Sequence, residues 1–243
     1  MTTSAMTRES PLLTREPARA PRWPMGSRSQ ILYALGLVLL RMVVFGAVLY
    51  GILKPVLMTG ITTRMGSNNE LVTQAILALM AIGFAAVMLP GVAQVSLRDL
   101  GISRERLGTN VALGLATFAV SLLIWAALAP LHHVTLAEAW AEGVGYTFRQ
   151  RVQLVIVGVH VIFGEDPLFL GYLQPGLRKR FSPVVAIGLA SLAFALYHAN
   201  LSPIPLFTRF VWGVLYGVMR ERTGSTIPSS IAHFLMWAVL GWI

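Results

Sequence analysis

Cysteine is absent from this chain. That excludes disulfides, thiolate catalysis and cysteine-ligated metals. Charge is scarce too: Asp, Glu, Lys and Arg make up 12% of the 243 residues, against about 25% in soluble domains. Acids are the rarest class, ten against nineteen Lys and Arg, for a net charge of +9. There is no internal repeat and no composition shift that marks a second domain. What remains is apolar: 56% of residues are hydrophobic and the mean hydropathy is +0.69. A chain of this kind is a polytopic membrane protein, with room for roughly six to eight spans of about 20 residues. The basic surplus therefore points to loops at the cytoplasmic face of a bilayer rather than to nucleic acid.

The fold expected is all-α, a transmembrane helical bundle of about seven spans. Residues 1–28 hold five Arg, several Pro and no apolar periodicity, which predicts a disordered basic tail. Its first apolar run starts too late for a cleaved signal peptide. Residues 29–243 form one transmembrane domain. Its spans are expected near 31–52, 71–95, 110–131, 152–180, 184–199, 206–219 and 227–242. With the N-terminus inside, thirteen basic residues fall on inner loops and four on outer ones. That bias predicts a cytoplasmic N-terminus and residence in the cell membrane.

One stretch stands out, Phe163-Gly164-Glu165-Asp166-Pro167 within an apolar run. A charge at membrane depth costs about 2.5–3.5 kcal/mol on insertion scales, so an embedded acid is a functional candidate by default. Asp-Pro is a good helix N-cap and first-turn pair, which predicts a break after Gly164 and a second helix over 167–180. Glu165 lies 17 residues before the Ser182-Pro183 turn and His198 lies 16 after it. Both are then about 25 Å from the turn along a helix, so an antiparallel pair presents them at one level. His233 is nearer its own turn and reaches that level only if the first hairpin protrudes further. An acid and two imidazoles suit peptide hydrolysis, with Glu165 as general base, His198 orienting water and His233 donating to the developing oxyanion.

These residues resemble the CPBP family of intramembrane endopeptidases, the CAAX-protease and bacteriocin-processing (Abi-type) group. Its pattern is Glu-Glu-x-x-x-Arg, Phe-x-x-x-His and a last His-x-x-x-Asn. Here Glu165-Asp166-Pro167-Leu168-Phe169-Leu170 stands at the first motif, Phe194-Ala195-Leu196-Tyr197-His198 matches the second, and His233 opens the third. The resemblance covers about residues 150–243. It implies an endopeptidase in which Glu165 and His198 hold the attacking water, His233 serves the oxyanion, and Asp166 supports the site. It implies a peptide or membrane-protein substrate. Three positions depart from the pattern: Asp166 for Glu, Leu170 for Arg and Trp237 for Asn. Arg41, Arg209 or Arg220 could replace the missing charge, and Trp237 or Asn200 the missing donor.

Other readings stand beside this one. Without the Arg and Asn, the chain could be a catalytically impaired relative acting as an immunity factor, adaptor or scaffold. The acid pair could also serve a transporter as a proton relay. No cofactor is expected. Glu165, His198 and His233 could ligate zinc, but the chain has no His-Glu-x-x-His run. His132 and His133 read as interfacial, His160 as packing, and Gly213 and Gly217 as a helix-packing pair.

Overall fold

The computed structural model describes residues 27–53, 65–87 and 95–240, and no strand occurs among them. The helices are α1 (Ser27–Gly46), continued by a π-helical Ala47–Leu53, α2 (Asn68–Val87), α3 (Leu107–Leu128), α4 (Leu136–Gly145) and α5 (Phe148–Gly164). A π-helical segment, Pro167–Leu173, leads into α6 (Gln174–Arg178). Then come α7 (Pro183–Tyr197), α8 (Pro203–Thr223) and α9 (Ile227–Leu240). The expected tail lies outside the described residues except for Ser27 and Arg28, which open α1.

Four stretches are long and apolar enough to cross a membrane: Arg28–Leu53, Asn68–Val87, Leu107–His132 and Phe148–Arg178. Pro183–Tyr197 and Ile227–Val239 are apolar but shorter. Fifteen residues rise only about 22 Å, less than the roughly 30 Å hydrocarbon core. The sequence marks one cause: Ser182-Pro183 starts α7 and a left-handed Ala199 follows it. Arg209, Arg220, Glu221 and Arg222 make α8 too polar to join either group. The bundle is thus all-helical among the described residues, with four stretches of spanning length set against the seven spans expected.

Beside a buried apolar core, large apolar side chains also lie on the outside and polar ones inside. Leu32, Val43, Leu79, Leu123 and Val184 are mostly exposed, on surfaces suited to lipid. Gln30, Arg41, Thr73, Asn110, Ser121, Gln153 and Gln174 are buried. Several interior polar groups tie helices to one another. Gln30 Nε2 donates to the Tyr172 carbonyl at 3.1 Å, and Gln174 Nε2 to that of Gly217 at 3.0 Å. Such bonds serve where hydrophobic contrast between helices is weak.

The polar connection between α3 and α5 forms α4, which the sequence did not suggest. Thr135 caps it reciprocally with Glu138, and Thr147 caps α5 with Gln150, in the capping-box arrangement. The Thr135 amide and hydroxyl hold the exposed Glu138 carboxyl below its usual range. This cap is therefore kept at neutral pH and lost as pH falls through the lowered value.

Contacts among α3, α5 and α9 place the last histidine. α9 packs on both α3 and α5, while α2 runs along α5 and α7 pairs with α8. The α5–α9 contact needs glycine: a Cβ on Gly158 would lie 2.8 Å from the Phe234 ring and 3.2 Å from its carbonyl. Gly158→Val is expected to destabilise the bundle by about 1–3 kcal/mol. A melting curve in detergent checks this, and an unchanged midpoint would remove the contact from the account. Gly213 similarly admits Ser191 at 2.9 Å from its virtual Cβ, which agrees with reading it as a packing position.

Candidate active site

The acid pair sits where α5 gives way to the π-helical segment. The expected break is instead a local widening. Glu165 leaves ideal helix geometry (φ −107, ψ −54), and Asp166 is helical again. Pro167 has no N–H and crowds the preceding turn. The Glu165 carbonyl accepts from both Leu168 N at 3.0 Å and Phe169 N at 2.9 Å. Asp166 does not cap the next helix, contrary to the sequence expectation. Its carboxylate is taken by a residue 67 positions later.

That residue is His233. Its Nδ1 lies 3.0 Å from Asp166 Oδ1, and both side chains are buried. Glu165 faces the other imidazole: Oε2 is 3.9 Å from His198 Nε2. His198 Nδ1 lies 2.9 Å from the Phe194 carbonyl. A carbonyl only accepts, so Nδ1 carries a proton and donates, and in the neutral ring Nε2 keeps a lone pair toward Glu165. Phe194 sits beside both rings, with centroids 4.9 Å from His198 and 5.9 Å from His233. Tyr216 lies 5.0 Å from His233 on its other side. The spacing Phe-x-x-x-His therefore supplies both the carbonyl that fixes His198 and a ring between the two imidazoles.

The structure thus brings Glu165, Asp166, His198 and His233 into one cluster, in which His198 is partly exposed and the other three are buried. Glu165 Oε2 and Asp166 Oδ2 are sealed from bulk solvent without a hydrogen-bonding partner in the protein. A space of about 10 Å³ beside Asp166, lined by Phe194, Ser191 and Tyr216, is close to one water in size. Among the described residues no three His, Cys, Asp or Glu side chains group closely enough to hold a metal ion.

The departures from the family pattern have structural outcomes. Leu170 packs with Tyr216 and Ala232, and its carbonyl accepts from Arg220 Nε at 3.2 Å. Arg220 also reaches the Asp99 carbonyl at 3.4 Å. It ties backbone segments together and contacts neither acid. Arg41 is different. It is completely buried, its Nη2 lies 2.7 Å from His160 Nε2, and its guanidinium covers the Phe45 and Tyr197 rings at 4.8 and 5.0 Å. It fills the space that a side chain at position 164 would take, beside Glu165. His160, read from sequence as packing, is the partner that holds it. Asn200 is exposed and accepts from Ser202 N, and Trp237 remains 38% exposed. Neither enters the cluster.

Arg41→Leu is expected to cost on the order of 2 kcal/mol. It strands His160 and removes the positive charge next to Glu165. Melting temperature in detergent reads the effect, and His160→Leu in the same background should then add little. Additive losses would show that the two side chains act apart.

The acid–imidazole cluster lies inside an apolar helical bundle with four stretches long enough to cross a membrane, which defines the class as an integral membrane protein. Residues 147–239 match a family model described as type II CAAX prenyl endopeptidase Rce1-like. Residues 147–239 are thus similar to a membrane protease family, which supports the CPBP resemblance. The match begins at the cap of α5 and ends within α9, so it contains all four clustered residues. No curated protein and no solved structure matches the chain.

Proposed function

We propose that this protein is an intramembrane endopeptidase that hydrolyses a peptide bond with water activated by Glu165 and His198, without a metal. The observation that carries the proposal is the 3.9 Å separation of Glu165 Oε2 and His198 Nε2. A water about 2.8 Å from both atoms would donate one hydrogen to each and turn its lone pairs outward. A peptide carbonyl approaching that side meets a nucleophile already oriented. Glu165 takes the proton as the water attacks and returns it to the leaving amine.

Asp166 and His233 serve the opposite end of the polarising bond. Asp166 accepts from His233 Nδ1 and favours the imidazolium form. The remaining Nε2–H is then the donor for the tetrahedral oxyanion. Arg41, not Arg220, supplies fixed positive charge near the first acid. The substrate is a peptide segment or a membrane protein entering from the bilayer, and the N-terminus faces the cytoplasm of the cell membrane.

The test is cleavage of a quenched-peptide library by the purified protein. Activity in the wild type that vanishes in both Glu165→Ala and His198→Ala supports the reading; cleavage that persists in both ends it. A second reading is favoured by one observation: Trp237 and Asn200 leave no second side-chain donor in the cluster. A non-hydrolytic adaptor or immunity factor keeping the same groove predicts that Glu165→Ala retains full biological activity.

A further inference from the structure

The π-helical segment Pro167–Leu173 ends on a gap in its hydrogen-bond ladder. Gln174 N–H donates to the Phe169 carbonyl, five residues back, and α6 begins at Gln174. In an α-helix that N–H would serve Leu170, four residues back. In the π register the Leu170 carbonyl would take residue 175, which is Pro175 and has no N–H. Both ladders thus pass over the Leu170 carbonyl, and Leu170 is buried. A buried carbonyl of this kind needs a donor from elsewhere. Arg220 of α8 provides it, with Nε donating to Leu170 O at 3.2 Å. The same side chain is held by its Nη2 on the Asp99 carbonyl at 3.4 Å. Gly101, at φ +81, leaves it room: a Cβ there would lie 2.9 Å from the guanidinium carbon. Two residues beyond Leu170, the Tyr172 carbonyl likewise accepts from a side chain, Gln30 Nε2 at 3.1 Å.

We propose that Arg220 is a positioning residue for hydrolysis: by serving the Leu170 carbonyl it holds the segment after the acid pair in the π register that turns Glu165 to His198 and Asp166 to His233. It rests on the peptidase reading above and adds a residue that touches neither acid. The competition is for one N–H. With Arg220 on Leu170, Gln174 N–H is free for Phe169. Without it, the Leu170 carbonyl takes Gln174 N–H and the turn closes as α-helix. One residue of register turns a side chain by about 100° around the helix axis. The far end of the segment is fixed, since Gln174 Nε2 donates to the Gly217 carbonyl of α8 at 3.0 Å. The rotation therefore falls on the near end. Glu165 and Asp166 then leave the imidazoles that lie 3.9 and 3.0 Å from them. Neither ring follows, because His198 closes α7 and His233 lies within α9. Short π segments inside helices occur frequently at functional sites, and here one sits directly after the acids.

The experiment compares two uncharged replacements in the full chain in phosphatidylcholine nanodiscs. Arg220→Gln keeps an N–H at the position of Nε and loses the rest of the guanidinium. Arg220→Met keeps the length and loses the donor. Two readouts are taken. One is kcat and KM on a peptide that the wild type cleaves. The other is the nitrogen NMR spectrum of ring-labelled histidine, with the His233 signals assigned by their loss in His233→Gln. Arg220→Met is expected to lower kcat by about 10² with KM nearly unchanged, and to lose the signature of the His233 Nδ1–Asp166 bond. Arg220→Gln should keep most of the rate and that signature. Equal losses in both variants overturn the proposal and assign the effect to the charge or to the Asp99 contact. An Arg220→Met protein that melts lower but retains the wild-type kcat and the His233 signature also overturns it, and leaves Arg220 as packing alone. A wild type that cleaves no peptide ends the peptidase reading by itself, and the spectrum still decides whether Arg220 holds the register. If Arg220→Met does not fold, Arg220→Gln decides: a retained signature supports the proposal and a lost one overturns it.

Discussion

Glu165→Gln is expected to lower peptide hydrolysis by about 10²–10⁴ while the bundle stays folded. The substitution keeps the size of the side chain and one carbonyl oxygen. Glu165 Oε2 has no hydrogen-bonding partner in the protein, so no internal bond is lost. What disappears is the capacity to take a proton from water. An amide 3.9 Å from His198 Nε2 can still hold a water, yet it cannot act as base. Glu165→Asp separates position from chemistry. It keeps the acid but withdraws it by one methylene, so it should fall between wild type and Gln. The measurement is kcat on one cleaved peptide, beside helical content from circular dichroism. A Gln variant at the wild-type rate would show that Glu165 is structural and shift attention to Asp166.

How the cluster assembles explains which parts were readable in the sequence. Glu165 and His198 could be paired because they lie almost symmetrically about Ser182-Pro183, and helix rise is constant. The structure has them facing each other across the α7 contact with the π-helical segment. His198 and Phe194 were readable as the ends of one motif, though not the ring nitrogen's bond to the Phe194 carbonyl. The partner of Asp166 was not readable. A helix-cap rule based on the Asp-Pro dipeptide competed with a tertiary contact to His233, and the tertiary contact won. Local propensity is decided by neighbours in sequence, whereas this bond depends on α9 lying against α5. The Arg41–His160 pair was hidden for the same reason, since 119 residues separate its members. Sequence offered Arg41 as one of three replacements for the missing Arg but could not choose its partner among the distant polar groups. The span count was legible only in part: among the described residues four stretches have spanning length, while α7 and α9 are apolar but shorter.

Asp166 offers the second large effect, because two substitutions there test different functions of one carboxylate. Asp166→Ala removes the acceptor from a buried imidazole, and the expected loss of stability is on the order of 3 kcal/mol. Asp166→Asn keeps an oxygen that accepts from His233 Nδ1, so the fold should lose far less. The charge is gone, however, and with it the preference for imidazolium. If His233 donates from Nε2 to the oxyanion, its donor is weakened, and the rate should fall by about 10²–10³. Substrate affinity should change little, since the oxyanion exists only near the transition state. The expected pattern is a stable protein with low kcat and near-normal KM for Asn, and an unstable one for Ala. Thermal melting and steady-state kinetics on both variants read it directly. Should Asn match the wild type in kcat, Asp166 and His233 would be a packing pair alone. The oxyanion would then need donors from elsewhere, with Arg41 and the backbone amides after Glu165 the first to test.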